Sequence, residues 1–88
     1  MYLFDVSEHL EKKLLKLSRK DKELYNKILK KIEEVIYSED VQHYKNLRYN
    51  MKNSKRVHLG HFVLIFQYRE EENLILFDDF DHHDKIYE

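Results

Sequence analysis

At 88 residues the chain has room for one domain, and 42% hydrophobic content with seven tyrosines and five phenylalanines argues for folding despite 38% charged side chains. Absence of cysteine excludes disulfides and thiolate metal sites, and no apolar run approaches the roughly 20 residues that span a bilayer. Residues 1–10, MYLFDVSEHL, lack the basic-then-apolar pattern of a secretory signal, so a cytoplasmic protein is expected.

The net charge of −1 conceals a segregation. Residues 1–40 carry nine basic and nine acidic side chains, residues 41–69 six basic and no acidic ones, and residues 70–88 one basic and eight acidic ones. The acid-free segment holds three histidines besides Lys45, Arg48, Lys52, Lys55, Arg56 and Arg69. Such a stretch is a candidate phosphate-contacting surface; the plainer reading is a solvated face.

In chain order, alternation of Tyr2, Phe4 and Val6 predicts a short strand. Ser7 supplies an N-cap oxygen, and Leu10, Leu14 and Leu17 form the buried stripe of a first helix. The sequence SRKD at 18–21 has the form of a capping box and predicts the start of a second helix. Its stripe runs through Leu24, Ile28, Ile32, Val35 and Ile36 to about Ser38. Residues 41–53 lack a period and read as a loop or partial strand, with Leu47, Tyr44 and Tyr49 as inward anchors. KRVHL (55–59) alternates, with Val57 and Leu59 on one face and Arg56 and His58 on the other, and Gly60 then marks a bulge or tight turn. HFVLIFQYR (61–69) predicts a central strand, EEEN (70–73) a hairpin connector and NLILFDDF (73–80) the returning strand. The order β-α-α-β-β-β is that of a single α+β domain over 1–88, a helical hairpin packed on one face of a small twisted antiparallel sheet. The other face is expected to be open.

The polar residues of the strand ends need a separate explanation. His58, His61, His82, His83 and Tyr87 lie on or beside neighbouring strands, with Lys52, Lys55, Arg56 and Arg69 near them in sequence. Metal-free RNA cleavage needs a base for the 2′-hydroxyl, a cation for the phosphorane charge and an acid for the 5′-oxygen. Histidine fills either proton role because its reference pKa is about 6.5. A metal cage in DFDHHD (79–84) is disfavoured, since adjacent strand residues point to opposite faces. His9 and His43 read as solvated or structural, and His82 as support for the terminal segment.

With these residues in place, the chain resembles the RelE/ParE superfamily of toxins from type II toxin–antitoxin modules. KRVHLGHFVLIFQY followed by DFDHHDKIY is most similar to the histidine-using branch that includes YafQ, and to archaeal RelE-type proteins. The shared elements are a histidine entering the central strand, the apolar core of that strand and a terminal H-x-x-x-[FY], here His83 to Tyr87. The resemblance implies a ribosome-dependent endoribonuclease that cuts messenger RNA in the A site, with no metal or other cofactor, leaving a cyclic phosphate and a free 5′-hydroxyl. By position, His83 becomes the acid/base histidine, Tyr87 the aromatic that stacks on or orients a base, and His58 the histidine preceding the central strand. His61 stands where the branch often has a polar residue, and Lys52, Lys55 and Arg56 match the phosphate-holding basic residues less closely. The classical pattern has arginines where this chain has Val63 and His83, which leaves charge stabilisation to Arg56, Lys55 or Arg69. The implied partners are a cognate antitoxin and mRNA on the ribosome, with no membrane, the chain being a monomer alone or a heteromer with its antitoxin. Two alternatives stay open: a ParE-like gyrase-binding toxin that cuts nothing, and a degenerate toxin that only binds its antitoxin.

Overall fold

The structure is a computed structural model that describes residues 1–47 and 53–87. Tyr49 and Lys52 lie outside the described residues. The elements are β1 (Leu3–Val6), α1 (Glu8–Lys20), α2 (Lys22–Ile36), β2 (Ser54–Leu59), β3 (Phe62–Arg69), β4 (Leu74–His82) and a helical turn α3 (His83–Ile86). Short 3-10 turns at Val41–His43 and Glu70–Glu72 lie between them.

Local chemistry sets most boundaries. The Ser7 side chain accepts from Leu10 N, as the sequence predicts. The second helix starts three residues later than the SRKD motif suggests. Ser18 is still inside α1, its hydroxyl donating to Leu15 O, and Asp21 is the cap, accepting from Leu24 N. Asp21 also ends α1 through its own N–H to Leu17 O, so one residue serves both helices without glycine or proline. Gly60 sits at φ 63° in a two-residue turn with His61, which joins Leu59 to its partner Phe62. A side chain there would be strained, which is why a glycine is needed.

The sheet order is β1-β4-β3-β2. β2, β3 and β4 form the expected antiparallel meander, but β1 adds to β4 in parallel, so the sheet is mixed and not purely antiparallel. The reason is topological. The helical hairpin carries the chain back across one face before β2 begins, leaving β1 beside the last strand with the same direction. The main core sits between the helices and that face. It comprises Leu10, Ile28, Ile32, Val35, Ile36 and Val41 against Leu64, Phe66, Ile75, Phe77 and Phe80. Val63 and Ile65 are buried on the second face, and α3 folds back over it through contacts with β3 and β4. That face is therefore partly covered.

Candidate active site

One irregularity in β4 sets which way the end of that strand faces. Ile65 pairs with Asp79 while the next residue, Phe66, pairs with Phe77, so Asp78 is an extra residue in β4. Gln67 Nε2 donates to Asp78 Oδ2 at 2.7 Å, and the Ser7 hydroxyl donates to Asp78 O at 2.6 Å. A bulge of this kind flips the alternation of all that follows. Ile75 and Phe77 face the core before it; Phe80 faces the core after it, and its pair-mate Leu64 does too. The shift delivers His82 opposite Phe62, on the core side, at the point where the strand ends. His82 Nδ1 then accepts from Asp84 N and caps α3.

The turn α3 places His83 and Tyr87 on one side of a single helical turn, at the i and i+4 positions that meet. Their rings lie 4.7 Å apart. On β2, pairing puts Arg56 opposite Ile65 and His58 opposite Val63, all on the face that α3 crosses. The His58 and His83 rings are near-parallel at 5.7 Å, and Arg56 Nη1 donates to the Tyr87 hydroxyl at 2.9 Å. Arg56 also lies over the Tyr87 ring at 5.7 Å, and its Nε is buried without an acceptor among the described residues. Four of the predicted residues, His58, His83, Tyr87 and Arg56, thus form one cluster. Partial burial lowers the His58 pKa below its usual 6.5, reinforced by the charges of Arg56, His83 and Lys45. His58 is accordingly neutral near pH 7 and able to take a proton.

The other predicted residues lie elsewhere. His61 is in the β2–β3 turn, and its ring is paired with His82 at 6.2 Å; its carbonyl accepts from His83 N at 2.8 Å. Lys55 shares the face of Val57 and Leu59, is 7% exposed, and donates to Tyr44 O and Asn46 Oδ1. Arg69 closes the far end of β3, about 23 Å from Phe62 at roughly 3.3 Å per residue. There it lines a polar concavity of about 870 Å³ together with Lys55, Lys45 and Gln67. Lys45, one of the basic residues of the acid-free segment, bears on His58 through its charge; its carbonyl accepts from Arg56 N at 2.9 Å. The signal available for it was the acid-free run itself. Among the described residues no three histidine or carboxylate side chains converge as metal ligands.

The end of β4 is held by one lysine. Lys13 Nζ, reaching from α1, binds Asp79 Oδ1 at 2.7 Å, Phe80 O at 3.0 Å and Asp81 Oδ2 at 2.9 Å. Burial opposes the charge on both partners, but the mutual hydrogen bonds outweigh it, raising the Lys13 pKa above 10.5 and lowering that of Asp81 below 3.8. The stabilisation is therefore fully present between those values. It is lost as pH falls through the Asp81 pKa, or as pH rises through that of Lys13. Replacing Lys13 with Met is expected to cost about 1–2 kcal/mol near neutral pH after allowing for solvent screening, and to flatten the acid side of the stability profile. Urea unfolding midpoints measured across pH check both effects.

No family model matches the chain. Over 88 residues it is 46% identical to "Putative toxin RelE4" of Methanocaldococcus jannaschii, a match that covers 99% of this chain and 92% of the relative. Among solved structures it is similar to the isolated E. coli RelE toxin, with a TM-score of 0.74 and 20% identity over 93% of this chain and 84% of that one. It is similar also to a chain of the intact E. coli RelBE toxin–antitoxin complex, with a TM-score of 0.73 and 20% identity over 93% of this chain and 96% of that one. At such identities the structural likeness is one of fold, while the 46% relative carries the family.

Proposed function

The chain belongs to the RelE/ParE-type toxin family, and from that premise we propose that it is a metal-independent, ribosome-dependent endoribonuclease that cuts mRNA by attack of a 2′-hydroxyl. The observation that carries this reading is the near-parallel His58–His83 pair beside the Arg56 guanidinium. His58, kept neutral, removes the 2′-hydroxyl proton. The freed O2′ attacks the adjacent phosphorus, a 2′,3′-cyclic phosphate forms, and the P–O5′ bond breaks. Protonated His83 gives its proton to the departing 5′-oxygen. Arg56 supplies the charge that steadies the phosphorane, in place of the arginines that the sequence lacks at Val63 and His83. Tyr87, tied to Arg56, orients that guanidinium and offers its ring to a base.

In this reading the toxin works in the cytoplasm on translated messages and is neutralised by a cognate antitoxin. The antitoxin lays a helix or extended segment over the face that carries Arg56 and His58. The buried position of Lys55, whose ammonium is held by Tyr44 O and Asn46 Oδ1, and the distance of Arg69 remove both from the reacting phosphate.

Induction in growing cells, followed by mapping of 5′-hydroxyl ends on a translated message, tests the proposal. Discrete cuts that disappear when the antitoxin is co-expressed are expected. A folded protein that arrests growth with DNA-damage signs and uncut messages would instead establish the gyrase-binding alternative.

A further inference from the structure

The proposed reaction uses one histidine pair, yet the same end of the sheet holds a second. His61 and His82 face each other with ring centroids 6.2 Å apart and planes 19° from parallel. His82 also meets the edge of Phe62 at 5.6 Å, and Phe62 stacks on Phe80 at 5.1 Å. The pair is thus the exposed margin of an aromatic column that starts in the core. His61 is exposed and the His82 side chain is 44% exposed. No carboxylate reaches His61 among the described residues, and beside His82, whose Nδ1 accepts from Asp84 N, the Asp84 carboxylate stands off at 3.7 Å.

The two pairs are built from one junction. His58 and His61 flank the tight turn at Gly60, His82 and His83 are consecutive, and the His83 N–H to His61 carbonyl bond ties the turn to the end of β4. Because strand neighbours diverge, the His58–His83 pair lies toward the face that α3 crosses and the His61–His82 pair toward the opposite rim. A single strand of RNA laid across the end of the sheet would pass from one pair to the other. At the first pair Arg56 provides charge for a phosphate. At the second, the rings face one another and Phe62, the His82 Nδ1 is occupied by the Asp84 N–H, and Phe62 and Phe80 offer no proton route.

We propose that His61 and His82 form a nucleobase-binding subsite, stacking on the base next to the cleaved phosphate, and take no part in proton transfer. The subsite rests on the nuclease reading for its substrate class, single-stranded RNA, but its binding is measurable without cleavage. Flat side chains that stack on bases accept any base, so the subsite places the strand and selects no sequence by itself.

The test uses a short 2′-O-methylated single-stranded RNA, which cannot be cut by 2′-hydroxyl attack, and the same backbone with one base removed at each position in turn. Wild-type protein is expected to bind the complete strand about ten-fold more tightly than the strand lacking the stacked base. His61→Ala and His82→Ala should abolish that difference, whereas His61→Phe should keep it, because a phenyl ring stacks but carries no proton. His58→Ala should leave the base preference intact. If the wild type makes no distinction between complete and abasic strands, or if His61→Phe behaves as His61→Ala does, the subsite is overturned. A chain that keeps the base preference but cuts no message would refute the nuclease reading and leave the subsite standing. In the cleavage assay, loss of turnover by His61→Phe with undiminished strand binding would assign His61 to proton transfer and refute the proposal.

Discussion

Replacing His58 or His83 with alanine is expected to reduce message cleavage by about 10²–10⁴-fold each. The double variant should fall little further than the worse single one, since both act in the same displacement and neither is useful without the other. The pH profile separates their roles. Burial first, then the charges of Arg56, His83 and Lys45, holds the His58 pKa below its usual 6.5. A base must be unprotonated, so activity should fall on the acid side only as pH drops below the ordinary histidine value. Lys45→Met removes one of those charges without touching the reacting groups. It should move that acid limb upward with little effect at the optimum.

Arg56 decides whether the departure from the classical arginine pattern matters. Its guanidinium is fixed at one end by the bond from Nη1 to the Tyr87 hydroxyl, and of its five N–H donors those on the Nη atoms, not the buried Nε, are the ones a phosphate would use. Arg56→Met is expected to cost about 10²–10³-fold in turnover. Arg56→Lys should recover only part of this, because an ammonium cannot hold Tyr87 and a phosphate oxygen along two fixed directions. Cleavage that survives all of these substitutions would sink the mechanism, whatever the growth phenotype.

The sequence revealed what depends on periodicity and missed what depends on one residue or on distant pairing. Both helices and all four strands follow from apolar spacing, and the face shared by Arg56 and His58 follows from alternation in KRVHL. The same alternation places Lys55 with Val57, so its withdrawal from the phosphate surface was legible and was overridden by its charge. The bulge at Asp78 was not, because FDDF reads equally well as continued alternation until Phe77 and Phe80 are both seen in the core. Parallel pairing of β1 with β4 joins the two ends of the chain, which local pattern does not encode. Adjacency of the strands on or beside which they lie groups His61 with His58 and His83. A two-residue turn was enough to send its ring to His82 instead.

The largest effect on stability is expected at Phe77. Its side chain is fully buried, meets the ring of Phe66 at 5.8 Å and lies under Phe4 at 6.3 Å. It is also the last regular position before the bulge, where its carbonyl accepts from Ser7 N and fastens the start of α1 to β4. Phe77→Ala should cost about 3–5 kcal/mol, because the helices and sheet around it cannot close the cavity without moving the bulge. For a domain of this size, whose total stability is about 4–13 kcal/mol at roughly 0.05–0.15 kcal/mol per residue, that is a large share. Equilibrium urea unfolding measures it directly. Phe4→Ala is the matched control: that ring is 52% exposed, so its removal should cost far less. Phe77→Leu, which keeps much of the volume, should lose less than about 1.5 kcal/mol and retain cleavage. If Phe77→Leu remains folded but loses cleavage, the bulge governs the placement of His83 more tightly than the fold requires. If Phe77→Ala unfolds no more easily than Phe4→Ala, the core assigned here does not hold the end of β4, and the His58–His83 geometry needs another support.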